Sequence, residues 1–198
     1  MGFVVFVEPT GDLKEDILMW KDKVSQHLST QPYCSHPPHS TLIHSEIEQE
    51  SKAVEAIGNA LTNVACFSAA INETALFLND IATGGHTLYL RIEPSDMLFA
   101  LQAKIADAIQ SLHTTIDTPD FVKNNKVLRT SFKKYGYPFV GSHWIPHLTI
   151  ASLRTNQNHP LITEFMEWKP NYVMQIKEVS CWHVENDDHY CIERYKLT

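Results

Sequence analysis

The chain has 198 residues, 43% of them hydrophobic and 20% charged, with a formal net charge of −7. That length can bury a full core, as one domain or two small lobes, and the composition is that of a globular protein. The negative balance argues against broad, nonspecific nucleic-acid binding, and no apolar run approaches the roughly 20 residues of a membrane span.

Phe3 to Val7 is a β-prone run that ends at Glu8-Pro9. No basic segment precedes it, so it reads as a first strand rather than a signal peptide, and the chain is expected to be cytoplasmic. From Asp12 to Leu28, apolar Leu13, Ile17, Trp20, Val24 and Leu28 recur at helical spacing. A strand at Thr41-Leu42-Ile43, a helix from Glu50 to Leu61 and a strand pattern from Cys66 to Phe77 follow. Then the opening repeats: Val5-Phe6-Val7-Glu8-Pro9-Thr10 aligns with Leu90-Arg91-Ile92-Glu93-Pro94-Ser95 at an offset of 85. Ser95 can cap a second helix, from Asp96 to about Leu112. A strand at Leu148–Ala151 precedes a short helix, His159 to Trp168, with Pro160 near its start. Strand patterns over Tyr172–Val184 and His189–Leu197 flank a turn at Glu185-Asn186-Asp187-Asp188.

This order predicts an α+β fold: one domain over 1–198, built from approximate repeats at 3–80 and 86–197. The second half carries about 23 extra residues, expected as an inserted loop at about 115–141. Long loops without regular structure in compact domains are often functional. Between Asp120 and Glu164 there is no acidic residue but six basic ones, so that stretch carries +6 and the rest of the chain −13. Such a segment is a solvated basic surface or one that attracts phosphate.

Two segments carry chemistry: Pro38-His39-Ser40-Thr41-Leu42 and Pro146-His147-Leu148-Thr149-Ile150. His-x-Thr alone is cheap, with about 0.8 copies expected by chance from 11 His and 15 Thr. Requiring the preceding proline lowers the expectation to about 0.04, and two copies are present. The third His-x-Thr, at His113-Thr114-Thr115, lacks that proline and follows a helical pattern, where a histidine favours the helix C-terminus. Two imidazoles can divide general-acid and general-base work near neutral pH, and two hydroxyls can hold phosphate oxygens. The catalytic set read here is His39, Thr41, His147 and Thr149.

Beside the second motif lie Trp144 and Tyr137, candidates to stack on a base, and Lys133, Lys134 and Arg154, candidate phosphate contacts. No metal or cofactor is expected. His143 and His147 have the i, i+4 spacing of helical zinc ligands, but Pro146 opposes a helix there and no glutamate follows His143. The four cysteines show no CxxC spacing and read as reduced thiols, with a Cys181–Cys191 hairpin bridge as the one pairing to consider.

This pattern resembles the two-histidine phosphoesterase superfamily, which includes bacterial RNA 2′-5′ ligase-like proteins and the eukaryotic cyclic phosphodiesterases. The signature is one His-x-(Thr/Ser)-x motif per half of a pseudo-symmetric chain, here His39-Ser40-Thr41-Leu42 and His147-Leu148-Thr149-Ile150. The resemblance implies two lobes, each with an antiparallel sheet, and motifs facing each other across a central cleft. Members often carry an aromatic residue three before the second histidine, which is Trp144 here. The implied activity is metal-independent cleavage of 2′,3′-cyclic phosphates on nucleotides or RNA ends, or of 2′-5′ linked oligonucleotides. RNA 2′-5′ ligation at the same site and nucleotide binding without turnover are the alternatives. The expected partner is a small nucleotide or an RNA terminus, bound by a monomer with no membrane contact.

Overall fold

The computed structural model of the chain describes residues 2–114, 117–185 and 188–198. Two sequence expectations fall partly outside them: the start of the inserted stretch, at Thr115 and Ile116, and the turn at Asn186 and Asp187.

The elements in chain order are β1 (Gly2–Val7), α1 (Asp12–Leu28), β2 (Ser40–Ser45), α2 (Glu50–Leu61), β3 (Phe67–Ile71), β4 (Glu73–Phe77), β5 (His86–Arg91) and α3 (Asp96–Ile109). They continue with α4 (Asp120–Lys123), α5 (Lys126–Tyr135), β6 (His147–Leu153), α6 (Pro160–Glu167), β7 (Tyr172–Ile176), β8 (Glu178–Glu185) and β9 (Asp188–Lys196). Among the described residues the strands form three antiparallel sheets: β2-β1-β8-β9, β4-β5-β6 and the pair β3-β7. The result is a two-lobed α+β fold, with β1 and β5 central in the two larger sheets.

The two continuous strand patterns of the sequence are each broken by one residue. Asn72 separates β3 from β4, and Lys177 separates β7 from β8. Each break lets the chain change sheets. β4 leaves the first half to pair with β5, β8 leaves the second half to pair with β1, and β3 pairs with its counterpart β7. Each lobe thus contains strands from both halves. The helices cross over as well, since α1 packs on β6 and α3 on β2.

Helix α1 buries Leu13, Ile17, Trp20 and Val24, the apolar stripe of the sequence. Burying each of these side chains contributes about 1.5–3 kcal/mol. Ser95 caps α3, its hydroxyl accepting from the Leu98 amide at 3.2 Å, and Pro160 opens α6. Helix α3 stops at Ile109, three residues short of the predicted end.

The inserted stretch is not an irregular loop. It holds α4 and α5, the latter capped by Asn125 and closed by Gly136 at φ 67°. A side chain at Gly136 would collide with His113, whose Cβ would lie 2.9 Å from the added carbon. His113 itself lies beyond α3 and bridges Ile47 rather than ending a helix.

Candidate active site

His39 immediately precedes β2, and His147 opens β6. In both motifs Nδ1 lies 2.6 Å from the carbonyl oxygen two residues earlier, that of Pro37 for His39 and of Ile145 for His147. The intervening prolines fix φ and bend the chain so that this carbonyl meets the ring. A carbonyl oxygen can only accept, so Nδ1 donates and, in the neutral ring, Nε2 keeps the lone pair.

A second feature is shared. Val5 pairs with Ile43 but Phe6 with Thr41, which leaves Leu42 as an extra residue. Leu88 pairs with Ala151 but Tyr89 with Thr149, which leaves Ile150 as an extra residue. A bulge therefore follows the threonine in each motif, and two consecutive residues become fully buried: Leu42 with Ile43, and Ile150 with Ala151.

The carbonyls of both bulged residues accept bonds from buried side chains. Gln102 of α3 donates to the Leu42 oxygen at 2.9 Å, donates to the Phe139 oxygen and accepts from the Gly141 amide. Lys21 of α1 donates to the Ile150 oxygen at 2.8 Å and to the Tyr33 oxygen at 2.6 Å. These bonds tie the approaches to both motifs into one framework, in which β2 and β6 run close together.

The surroundings of the two histidines differ. His39 stacks on Phe6 with ring centroids 3.7 Å apart. His189 of β9 lies 5.8 Å from His39 and 4.5 Å from His36. His147 meets Tyr89 and Phe77 edge-on at 5.2 and 5.3 Å, and those two rings stack on each other. Burial pulls the His39 pKa down to about 3; the bond to Pro37 opposes this, while His189, Lys21 and His36 reinforce it. Burial also lowers the His147 pKa, but there both the bond to Ile145 and the charge of Asp80 oppose the shift. Lys21, 3% exposed, is lowered by burial to about 8.

The residues expected to bind substrate are placed unevenly. Trp144 is buried and its indole nitrogen donates to the Thr41 oxygen at 3.0 Å, so it joins the two motifs instead of offering a face to a base. Tyr137 is partly buried and packs edge-on against Phe139; burial raises its pKa. Lys134 is held by Asp107 at 3.0 Å and by the Tyr135 hydroxyl. Lys133 and Arg154 are exposed. The cysteines are free: Cys181 points into the core, whereas Cys191 pairs with Trp182 on the other face, which rules out the hairpin bridge. Among the described residues no group of three His, Cys, Asp or Glu side chains is placed to hold a metal ion. No described helix is long and apolar enough to cross a membrane.

Sequence reading missed Phe6, Tyr89, Lys21, Gln102 and His189. Only the bulged register and the packing of α1, α3 and β9 bring them to the motifs, and no local pattern marks them.

The two exchanged lobes define a two-lobed α+β fold that known structures share. The chain is similar to TT0787 of Thermus thermophilus, with a TM-score of 0.69 and 15% identity over 100% of this chain and 98% of that one. It is also similar to E. coli LigT in its apo form (TM-score 0.61, 12% identity, 100% and 97% covered). LigT complexed with 3′-AMP gives a TM-score of 0.59 at 14% identity, covering 99% and 97%. No curated protein matches the sequence. A sequence model of the 2′-5′ RNA ligase superfamily matches residues 13–188, and the chain belongs to that family. Membership supports an activity of the two-histidine phosphoesterase type.

Proposed function

We propose that the protein is a metal-independent phosphodiesterase acting on 2′,3′-cyclic phosphates of nucleotides or RNA ends, or on 2′-5′ linked oligonucleotides. The observation that carries this reading is the matched Nδ1 bond, which leaves Nε2 of both His39 and His147 as the reactive nitrogen.

His39 is the general base and His147 the general acid. His39, surrounded by Lys21, His36 and His189, stays neutral and can accept a proton, whereas Asp80 favours the charged form of His147. A bound phosphate anion raises both pKa values and loads the acid. His39 Nε2 removes a proton from water as its oxygen bonds to phosphorus. The bond from phosphorus to one ribose oxygen breaks, and His147 Nε2 gives that oxygen its proton. Thr41 and Thr149 donate to the non-bridging oxygens, where negative charge grows. A ribose 5′-hydroxyl in place of the attacking water follows the same path to a 2′-5′ linkage, which is ligation. A small nucleotide as substrate accords with the 3′-AMP, ATP and NADP+ found in LigT structures.

The test is to treat the protein with EDTA and offer 2′,3′-cyclic nucleotides, a short RNA ending in a cyclic phosphate, and 2′-5′ oligoadenylate. Turnover of any of these, lost in His39→Ala, is the expected result, and the product's regiochemistry names the leaving oxygen. Nucleotide binding without turnover would sink the enzyme reading in favour of a binding module.

A further inference from the structure

Across the sheet β4-β5-β6, Glu73 pairs with Arg91 and Arg91 pairs with His147. Directly opposed residues project from the same face, so this row places a guanidinium beside the second-motif histidine. The next row inward on that face pairs Tyr89 with Thr149. Arg91 therefore sits at the end of its strand, one strand over and one row out from the threonine proposed to hold the reacting phosphate.

The guanidinium is underused. Its ion pair with Glu73 is a single contact, Nη1 to the carboxylate at 3.4 Å, with both side chains substantially exposed at 42% and 58%. Its Nε is buried with no acceptor among the described residues. Guanidinium offers five donors in a planar fork suited to two oxygens of one phosphate. By contrast, Arg194 in the other lobe is pinned by Glu8 at 3.0 Å and Glu178 at 2.8 Å. The bulges also show what the first lobe holds at the matching place. The register corrects the sequence repeat from an offset of 85 to one of 83, so that Phe6 corresponds to Tyr89 rather than Arg91, and two residues onward Glu8 corresponds to Arg91. One rim of the site is therefore a carboxylate already engaged, and the other is a cation with donors to spare.

We propose that Arg91 is a specificity-determining residue that binds a second phosphate group of the substrate, beside the phosphate attacked at His147. The inference rests on the phosphodiesterase reading above and adds to it that the substrate is at least doubly phosphorylated. That second phosphate is either a 5′-phosphate of the same nucleotide or the neighbouring backbone phosphate of an RNA end.

The experiment compares kcat/KM for adenosine 2′,3′-cyclic phosphate, the same molecule bearing a 5′-phosphate, and an adenylate dinucleotide ending in the cyclic phosphate. The wild-type protein should prefer a doubly phosphorylated substrate by about tenfold or more, and the Arg91→Met protein should lose that preference to near parity. Because the readout is a ratio within each protein, a general loss of activity or fold does not imitate it. Glu73→Gln, which frees the guanidinium from its carboxylate partner, should raise the preference severalfold. A gain on the 5′-phosphorylated nucleotide identifies a terminal phosphate, and a gain on the dinucleotide alone identifies a backbone phosphate. If the wild-type protein shows no preference, or Arg91→Met keeps it, the inference is overturned. If nothing is turned over, the phosphodiesterase reading has failed. Titration calorimetry with adenosine 3′,5′-bisphosphate against 3′-AMP then still decides Arg91, since tighter bisphosphate binding lost in Arg91→Met supports its role and equal binding overturns it.

Discussion

The two motif strands share a frame and differ in what surrounds it. Around His39 and around His147 the sequence builds the same proline, the same Nδ1 bond and the same bulge after threonine. The neighbours then diverge. His39 lies on Phe6 among His36, His189 and Lys21, whereas His147 lies among Tyr89, Phe77 and Asp80. In the mechanism proposed above, the shared frame leaves Nε2 of each ring to react. Burial lowers the pKa of both rings, but only at His147 does a carboxylate, Asp80, oppose it, and that difference is what would give the near-symmetric site a direction.

The sharpest way to break this comparison is to remove each histidine and change the leaving group. On a cyclic phosphate, His39→Ala and His147→Ala should each slow turnover on the order of 10²–10⁴-fold, the usual range for a lost general acid or base. On a 4-nitrophenyl phosphodiester the departing oxygen needs no proton. There His147→Ala should recover most of its rate while His39→Ala stays slow. Equal defects on both substrates would refute the division of labour.

The threonines test the symmetric part. Thr41→Val and Thr149→Val each remove one donor to the non-bridging oxygens, and each should lower kcat by about 10²-fold or somewhat more, with KM little changed. A large effect at one position and none at the other would show that the phosphate lies against one strand only.

The bulge supports come next in size. Lys21→Met leaves the Ile150 and Tyr33 oxygens without their donor, and Gln102→Leu does the same to Leu42 and Phe139. Each should cost about 1–3 kcal/mol of stability, read from urea unfolding. They should differ in the pH–rate profile. Lys21 is a cation that depresses His39, so its removal should move the acidic limb of kcat/KM to higher pH. Gln102 is neutral, and its loss should leave that limb in place. A limb unmoved in both variants would reduce Lys21 to a structural support.

Much of this frame was legible in the sequence, and the reason is local. Pro-His-x-Thr together with the residue before it holds the carbonyl, the histidine that bonds it and the threonine within five residues, so nothing distant is needed to recognise it. The apolar stripe of α1 and the Ser95 cap are equally local. Even α5 left a signal, with Asn125 before it and Gly136 after it, although its polarity read as a loop. What was not legible is what the register decides. No pattern in Cys66 to Phe77 says that the strand breaks at Asn72 and changes lobes. Trp144 shows the same limit. Its position beside the second motif suggested a stacking surface, yet the exchanged packing turns its indole nitrogen onto the first motif. Arg91, Lys21 and Phe6 become site residues only once β5, α1 and β1 are laid beside the motif strands.

The smallest predicted effect concerns acid stability, and its sign follows from His39. An unfolded histidine binds a proton below a pKa of about 6.5, whereas the folded ring resists it until about pH 3. Between those values the unfolded chain holds the extra proton. The stability present above pH 6.5 is therefore lost as pH falls toward 3. From about pH 7 to about pH 5.5 the loss from this one group is about 1 kcal/mol. His39→Asn should remove that much of the pH dependence from the unfolding free energy. His147→Asn should remove less, because Asp80 opposes the effect of burial there, whereas His189, Lys21 and His36 reinforce it at His39. If the two variants flatten the pH dependence equally, their surroundings are electrostatically alike, and the direction assigned to the site loses its physical basis.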